Sequence, residues 1–295
     1  MELSNEEYEF FLKEKFFMKI PAMEKRKEIF NDTKKLCTEN PKLVESIKKS
    51  VSKQKCIEEK IHFTENNDSQ NNQKAEIIIS ENRTFYAASK YAQKGMKTCV
   101  LNFADFFNAG GYVEFGASSQ EESLCRCSTL YFCLNDKEIK KSFYENHKKL
   151  QEEKKIDFRY NDDCIWTPQV TVFKSDTESP VLMEEKDWFY VDVITCAAPN
   201  VAKKTKATLM TKGELYVILK KRFKRILEIA KHNKEDALIL GAFGCGAFGN
   251  PPEIVALAAS AALKDFESDF KAVEFAIYSK TKRWNYEEFR RVFMT

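Results

Sequence analysis

The chain has 295 residues, 43% of them hydrophobic, enough to bury a substantial core in one large domain or in a core with an appendage. Lys and Arg number 48 against 45 Asp and Glu, a net charge of +3, so charge balance offers no argument for a nucleic-acid or membrane partner. A phosphate-bearing ligand has to be argued from a site. No run approaches the roughly 18 apolar residues of a membrane span, and the early acids of MELSNEEYEFFLKEK do not suit a secretory signal. The nine cysteines, an odd number with several inside apolar runs, fit free thiols in a reducing cytoplasm, where we expect the protein to stay.

In chain order, NEEYEFFLKEKFF, AMEKRKEIFNDTKKLC and KLVESIKKSV carry apolar residues at helical spacing and are separated by Pro21 and Pro41, which predicts three helices. They make residues 1–70 a helical accessory segment. KIHF, residues 60–63, is a candidate strand start, and the polar tract TENNDSQNNQ behind it is expected to be an exposed loop. From Ala75 onward, apolar runs of strand length alternate with helical patterns: strand AEIIIS, helix TFYAASKYAQKG, strand TCVLNFA, a glycine-bearing loop and helix EESLCRCSTLYFCL. A charged helical stretch then precedes strands CIWTPQVTVFK and WFYVDVITCAAP, helix GELYVILKKRFKRILEIAKHN, strand ALILGAFG, helix PEIVALAASAALKDF, strand VEFAIYS and helix NYEEFRRVF. This alternation predicts an α/β domain over residues 71–295, its sheet largely parallel and covered on both faces. Ligands of such sheets sit outside the carboxyl ends of the strands, and two loops of unusual composition lie at such ends.

The second of these, GAFGCGAFGNPPE, places Gly241, Gly244, Gly246 and Gly249 between an apolar strand and a helix. Glycine allows positive φ and close backbone approach, and free N–H groups at a following helix start favour an anion, so this loop is a candidate diphosphate cradle. The run from Gly244 to Gly249 also matches GxGxxG, but a dinucleotide site expects an acidic residue ending the next strand. That strand ends instead in Ser279 and Lys280. Glycines that only serve close helix–strand packing are the plain alternative.

The first loop brings Gly110-Gly111 and then Gln120-Glu121-Glu122 at a helix start. Acids are favourable to the dipole there, so the pair has an ordinary structural explanation as well as a catalytic one. Neighbours on a helix point about 100° apart, so at most one of the two glutamates sits at a scissile bond while the other holds substrate, unlike the usual pair flanking a sugar. The other catalytic sets are weak. His147 and His232 lie in strongly charged helical segments, Cys125 and Cys127 point to different helix faces with no second pair for zinc, and KKRFKR reads as a solvated helix face.

With both loops in view, the chain resembles the microbial type of poly(ADP-ribose) glycohydrolase, a branch of the macrodomain superfamily. The resemblance rests on VLNFADFFNAGGYVEFGASSQEESLCRCSTLY, ITCAAPN and GAFGCGAFGNPPE in the family's order and spacing, and covers roughly Ala75 to the C-terminus. It implies a three-layer α/β/α macrodomain with a mixed, largely parallel sheet, preceded by the N-terminal helical extension. By resemblance Glu122 is the general acid and Glu121 holds ribose hydroxyls. Gly244, Cys245, Gly246, Ala247, Phe248 and Gly249 wrap the diphosphate, with Phe248 against the ribose. Asn102, Asn108, Gly110, Gly111, Tyr112 and Gln120 complete the substrate contacts. One position departs: where the family's first loop reads Pro-Gly-Gly-Gly, this chain has Ala109-Gly110-Gly111-Tyr112, which bears on the linkage cleaved.

The implied reaction is hydrolysis of the ribose–ribose bond of poly(ADP-ribose), without metal or other cofactor, in a monomer with no membrane or sequence-specific nucleic-acid partner. Its alternatives are removal of single ADP-ribose groups from modified protein or nucleic acid, and non-catalytic ADP-ribose binding.

Overall fold

The computed structural model describes residues 5–63, 73–203, 210–280 and 283–294, with side chains from residue 21 onward. The polar tract therefore lies, but for Gln73, outside the described residues. Helix α1 (Asn5–Glu39) runs unbroken through Pro21, where the sequence predicts a break. A proline removes one N–H bond, a cost a helix of 35 residues distributes over many others. Helix α2 (Pro41–Val51) starts where expected, because the Asn40 side chain accepts the N–H groups of Lys42 and Leu43 and Pro41 occupies the first turn. Residues 60–63 form no strand; the strand here is β1 (Lys55–Ile57), which pairs antiparallel with β4 (Cys164–Val172).

The remaining strands are β2 (Glu76–Ser80), β3 (Thr98–Phe103), β5 (Phe189–Cys196), β6 (Ala237–Leu240) and β7 (Ala272–Ala276), in the order β1-β4-β5-β3-β6-β7-β2. β5, β3, β6, β7 and β2 are mutually parallel, while β1 and β4 add an antiparallel edge, so the sheet is mixed and largely parallel. Alternate residues of the central strands serve opposite faces. Cys99, Leu101, Leu238 and Leu240 pack beneath α8 (Lys212–His232), α9 (Pro252–Leu263) and α10 (Trp284–Phe293). Val100, Val193 and Ile239 pack beneath α3 (Thr84–Ala92), α4 (Gln120–Cys127) and α5 (Leu130–Leu134). Helix on sheet on helix is the three-layer arrangement the alternation implies.

EESLCRCSTLYFCL, read from sequence as one helix, is split at Ser128-Thr129. β4 takes the backbone there: Thr129 N–H donates to the Thr171 carbonyl at 3.0 Å, and Thr171 N–H to the Thr129 hydroxyl at 3.1 Å. These bonds to a neighbouring strand replace the intrahelical ones, a competition invisible in local periodicity.

The N-terminal helices are fastened to this frame. Phe30 is buried edge-on against Tyr131, and Thr33 donates to the Arg126 carbonyl at 2.7 Å. The Lys174 ammonium, 1% exposed, donates to the Ile29 carbonyl, Asp32 and Thr33. α1 thus grips α4, whose first turn carries the paired glutamates.

At the amino ends of the parallel strands Glu235, 1% exposed, lies near Asp192 and Lys97, with the Lys97 ammonium 3.2 Å from its carboxylate. Burial, and then the charge of Asp192, push the Glu235 carboxyl up to about 9, against the pull of Lys97. A carboxyl whose pKa rises on folding contributes stability below its unfolded value, and that contribution is lost as pH rises through the folded one. The folded state should therefore lose stability between about pH 4.5 and 9. Glu235→Gln should flatten that slope, as read by urea denaturation at pH 5 and pH 8; an unchanged slope would exclude this group as its source.

Candidate active site

Because five strands are parallel, their carboxyl ends share one edge, and a cavity of about 520 Å³ opens there. It is lined by Asn82 and Arg83 after β2, Phe103 at the end of β3 and Asp105 after it, Ala198 after β5, Ala242 to Gly244 and Gly246 to Phe248 after β6, and Ile277 to Lys280 after β7. The first turn of α4 closes one wall with Gln120, Glu121, Glu122 and Ser123.

Gln120 joins that helix to the sheet. Its side-chain oxygen accepts the Phe103 N–H at 2.9 Å, and its amide nitrogen donates to the Leu101 carbonyl at 2.8 Å and to Thr84 at 3.1 Å. The amide is committed to β3 and α3, which makes Gln120 the anchor of the turn that carries the two glutamates. Glu121, 2% exposed, accepts from the Asn102 amide at 3.1 Å and from the Asp105 N–H at 2.7 Å. Burial drives its carboxyl well above the usual carboxylate range; the Asp105 N–H works against that, and the neighbouring Glu122 charge adds to it.

Glu122, 5% exposed, accepts the Tyr112 N–H on Oε1 at 3.1 Å, while its Oε2, also buried, has no hydrogen-bond partner among the described residues. A buried carboxylate oxygen without a partner is costly unless a ligand uses it. The two glutamates converge more than their helical offset suggests. A Cβ built on Gly111 would lie 2.5 Å from Glu122 Oε1 and 3.1 Å from Glu121 Oε2, so the first loop folds over the helix start and both acids reach it.

Of the other residues proposed from sequence on the first loop, Tyr112 lines the cavity and Gly110 and Gly111 lie behind it. Gly110 is packed where a Cβ would meet the Tyr131 ring at 2.7 Å. Asn102 is fully buried; it reaches Glu121 and Thr195 rather than the cavity wall. Asn108 closes the turn on Asp105, its N–H at 2.8 Å and its amide at 3.1 Å from the same carboxylate oxygen. Both sit one layer behind the surface a ligand would touch.

The second loop is wound tightly. The Asn250 amide donates to the Pro199 carbonyl at 2.8 Å and the Gly244 carbonyl at 3.0 Å. Gly244, at φ +73°, packs where a Cβ would meet the Asn250 amide at 2.3 Å. The N–H groups of Gly244, Gly246, Ala247 and Phe248 donate to no acceptor among the described residues, and all four residues line the cavity. Cys245 and Gly249 of the same run do not line it. The following helix contributes less than the sequence suggests: α9 opens with Pro251 and Pro252, which have no N–H, and neither borders the cavity. The donors this edge offers a ligand come from the loop backbone itself.

Several lining residues carried no legible signal. Arg26 arrives from α1, donating from Nε to the Gly116 carbonyl at 2.6 Å. Arg126, 3% exposed, donates to the Ala117 carbonyl at 2.6 Å and to Ser123 at 3.0 Å. Arg83, Glu178 and Tyr278 meet at the far end, where the Arg83 guanidinium lies 4.1 Å from the Tyr278 ring centroid and pairs with Glu178. His147 is buried between Asp163, 2.9 Å away, and the stacked Phe106 ring, away from the cavity.

A mixed sheet between two helical layers, with a cavity at its strand ends bounded by a glycine turn and a helix start, defines a macrodomain-like α/β protein. The model of the microbial-type PARG catalytic domain family matches residues 24–175. The chain belongs to that family. Poly(ADP-ribose) glycohydrolase from Thermomonospora curvata is 27% identical, over 91% of this chain and 99% of its own, with a TM-score of 0.78. The same enzyme bound to the inhibitor ADP-HPD is 28% identical over the same shares, with a TM-score of 0.76. Poly(ADP-ribose) glycohydrolase from Deinococcus radiodurans in complex with ADP-ribose is 27% identical over 83% of this chain and 96% of its own, with a TM-score of 0.72. No curated protein matches the chain. No helix of the described residues is long and apolar enough to cross a membrane.

Proposed function

We propose that this chain hydrolyses the ribose–ribose O-glycosidic bond of poly(ADP-ribose) and releases ADP-ribose. The observation that carries the reading is the meeting, in one cavity, of a buried carboxylate oxygen, Glu122 Oε2, and four loop N–H groups, none of which has a hydrogen-bond partner among the described residues. The loop N–H groups of Gly244 to Phe248 hold the diphosphate, with half-buried Phe248 against the ribose, and fix the sugar relative to α4. Protonated Glu122 donates to the departing oxygen as an oxocarbenium-like ribose develops, and its carboxylate then draws a proton from the attacking water. Glu121, held by Asn102 and Asp105, receives the ribose hydroxyls. Asn102, Asn108, Gly110, Gly111 and Gln120 act on substrate through the turn and carboxylates they position.

Residues 1–70 serve as an accessory segment bracing α4 and the first loop, and the protein works as a cytoplasmic monomer. Removal of single ADP-ribose groups is the second reading, because Tyr112, 53% exposed and bonded through its N–H to Glu122, stands where the family's loop has glycine.

Purified protein incubated with poly(ADP-ribose) should accumulate free ADP-ribose, resolved by ion-exchange chromatography. Product only from mono-ADP-ribosylated peptides would establish the second reading instead. Absence of any heat on titration with ADP-ribose would overturn both.

A further inference from the structure

Two large aromatic rings stand in solvent beside the proposed acid. Tyr112 is 53% and Phe115 64% exposed, with ring centroids 6.4 Å apart. Exposed rings on a loose loop would carry little meaning, but this turn is held at several points. Tyr112 N–H donates to Glu122 at 3.1 Å, and the Tyr112 carbonyl accepts from Phe115 N–H at 3.0 Å and Ala117 N–H at 3.2 Å. Val113 between them is fully buried, and Arg26 of α1 clasps the Gly116 carbonyl. The chain thus holds two apolar rings outward, at a cost in unburied surface. Tyr112 borders the cavity, and Phe115, which does not, places its exposed ring next to that of Tyr112, so the pair extends an apolar surface from the cavity wall into solvent.

That direction has a chemical meaning that rests on the proposed reaction. ADP-ribose occupies the cavity, the acid protonates the bridging oxygen, and whatever stands outside on the acid's side is the leaving group. In poly(ADP-ribose) the leaving ribose carries its adenine on the carbon next to the one bearing that oxygen, so a flat base emerges one furanose ring from the scissile bond. Aromatic side chains bind such bases by stacking. We propose that Tyr112 and Phe115 form a leaving-group subsite that stacks the adenine of the adjoining polymer unit and selects a nucleoside aglycone over an amino-acid side chain.

The test uses full-length Glu122→Gln protein, titrated calorimetrically with ADP-ribose and with the ribose–ribose-linked ADP-ribose dimer. The dimer should bind about tenfold more tightly, the order expected of one stacked base. Phe115→Ser added to that background should bring the dimer close to the affinity of ADP-ribose, leaving ADP-ribose itself unchanged; Phe115→Trp should retain the preference. A dimer lacking the base of its leaving unit should bind as ADP-ribose does. The subsite is refuted, with the proposed reaction intact, if the dimer binds no better than ADP-ribose or if its preference survives Phe115→Ser. Binding of neither ligand would refute the reaction and this subsite together.

Discussion

Glu122→Gln is expected to lower kcat on poly(ADP-ribose) by about three orders of magnitude, the range lost with a general acid, while ADP-ribose affinity stays within a few-fold. The amide keeps an oxygen for the Tyr112 N–H, which Glu122 Oε1 accepts at 3.1 Å. The atom that changes function is the one with no hydrogen-bond partner among the described residues. Binding should persist because the diphosphate cradle belongs to a different loop, closed by Asn250 on Pro199 and Gly244. Single-turnover release of ADP-ribose with calorimetric binding separates the two quantities. Full turnover by the variant would remove Glu122 from the mechanism, whereas loss of binding with turnover would show that the substitution disturbed the fold of the site.

Gly111→Ala should damage turnover heavily, though less than Glu122→Gln, while leaving the protein folded. Its φ of +59° costs an alanine about 1–2 kcal/mol, less than the roughly 5–15 kcal/mol by which a domain is stable, so the variant still folds. The added Cβ would lie 2.5 Å from Glu122 Oε1 and 3.1 Å from Glu121 Oε2. Both are far ends of flexible side chains, so the clash is relieved by moving the two carboxylates rather than the backbone. Displacing a reacting group by about an ångström costs on the order of a hundredfold in rate. A fall in kcat of that size, with a denaturation midpoint lowered only slightly, is the expected result. Activity near that of the parent would show that the acids do not need the position this glycine leaves open.

The two loops that border the cavity were legible because their signals are local. Glycines that permit a tight turn and acids at a helix start are read from adjacent letters, and the four loop N–H groups fall inside the predicted run from Gly244 to Gly249. Which residues touch a ligand was less legible. Asn102 and Gln120 are polar residues in and beside the motif, yet Asn102 does not reach the cavity and supports Glu121, whereas Gln120 lines the cavity and also pins α4 to β3. A polar side chain near a motif looks the same in sequence whether it faces the cavity or braces the residue that does. Arg26 lies 90 residues from the Gly116 carbonyl it holds, and no spacing rule connects them.

By itself the sequence determined the alternation of strands and helices, and with it the parallel sheet whose carboxyl ends gather the two loops on one edge, because hydrophobic periodicity is a property of neighbouring residues. Only the tertiary structure decided that α1 continues through Pro21, that the helix after Glu122 breaks at Ser128 and that the two adjacent glutamates reach a common point over Gly111. Those outcomes depend on groups brought together from distant parts of the chain, and the energies that settle them do not exist until the chain has folded.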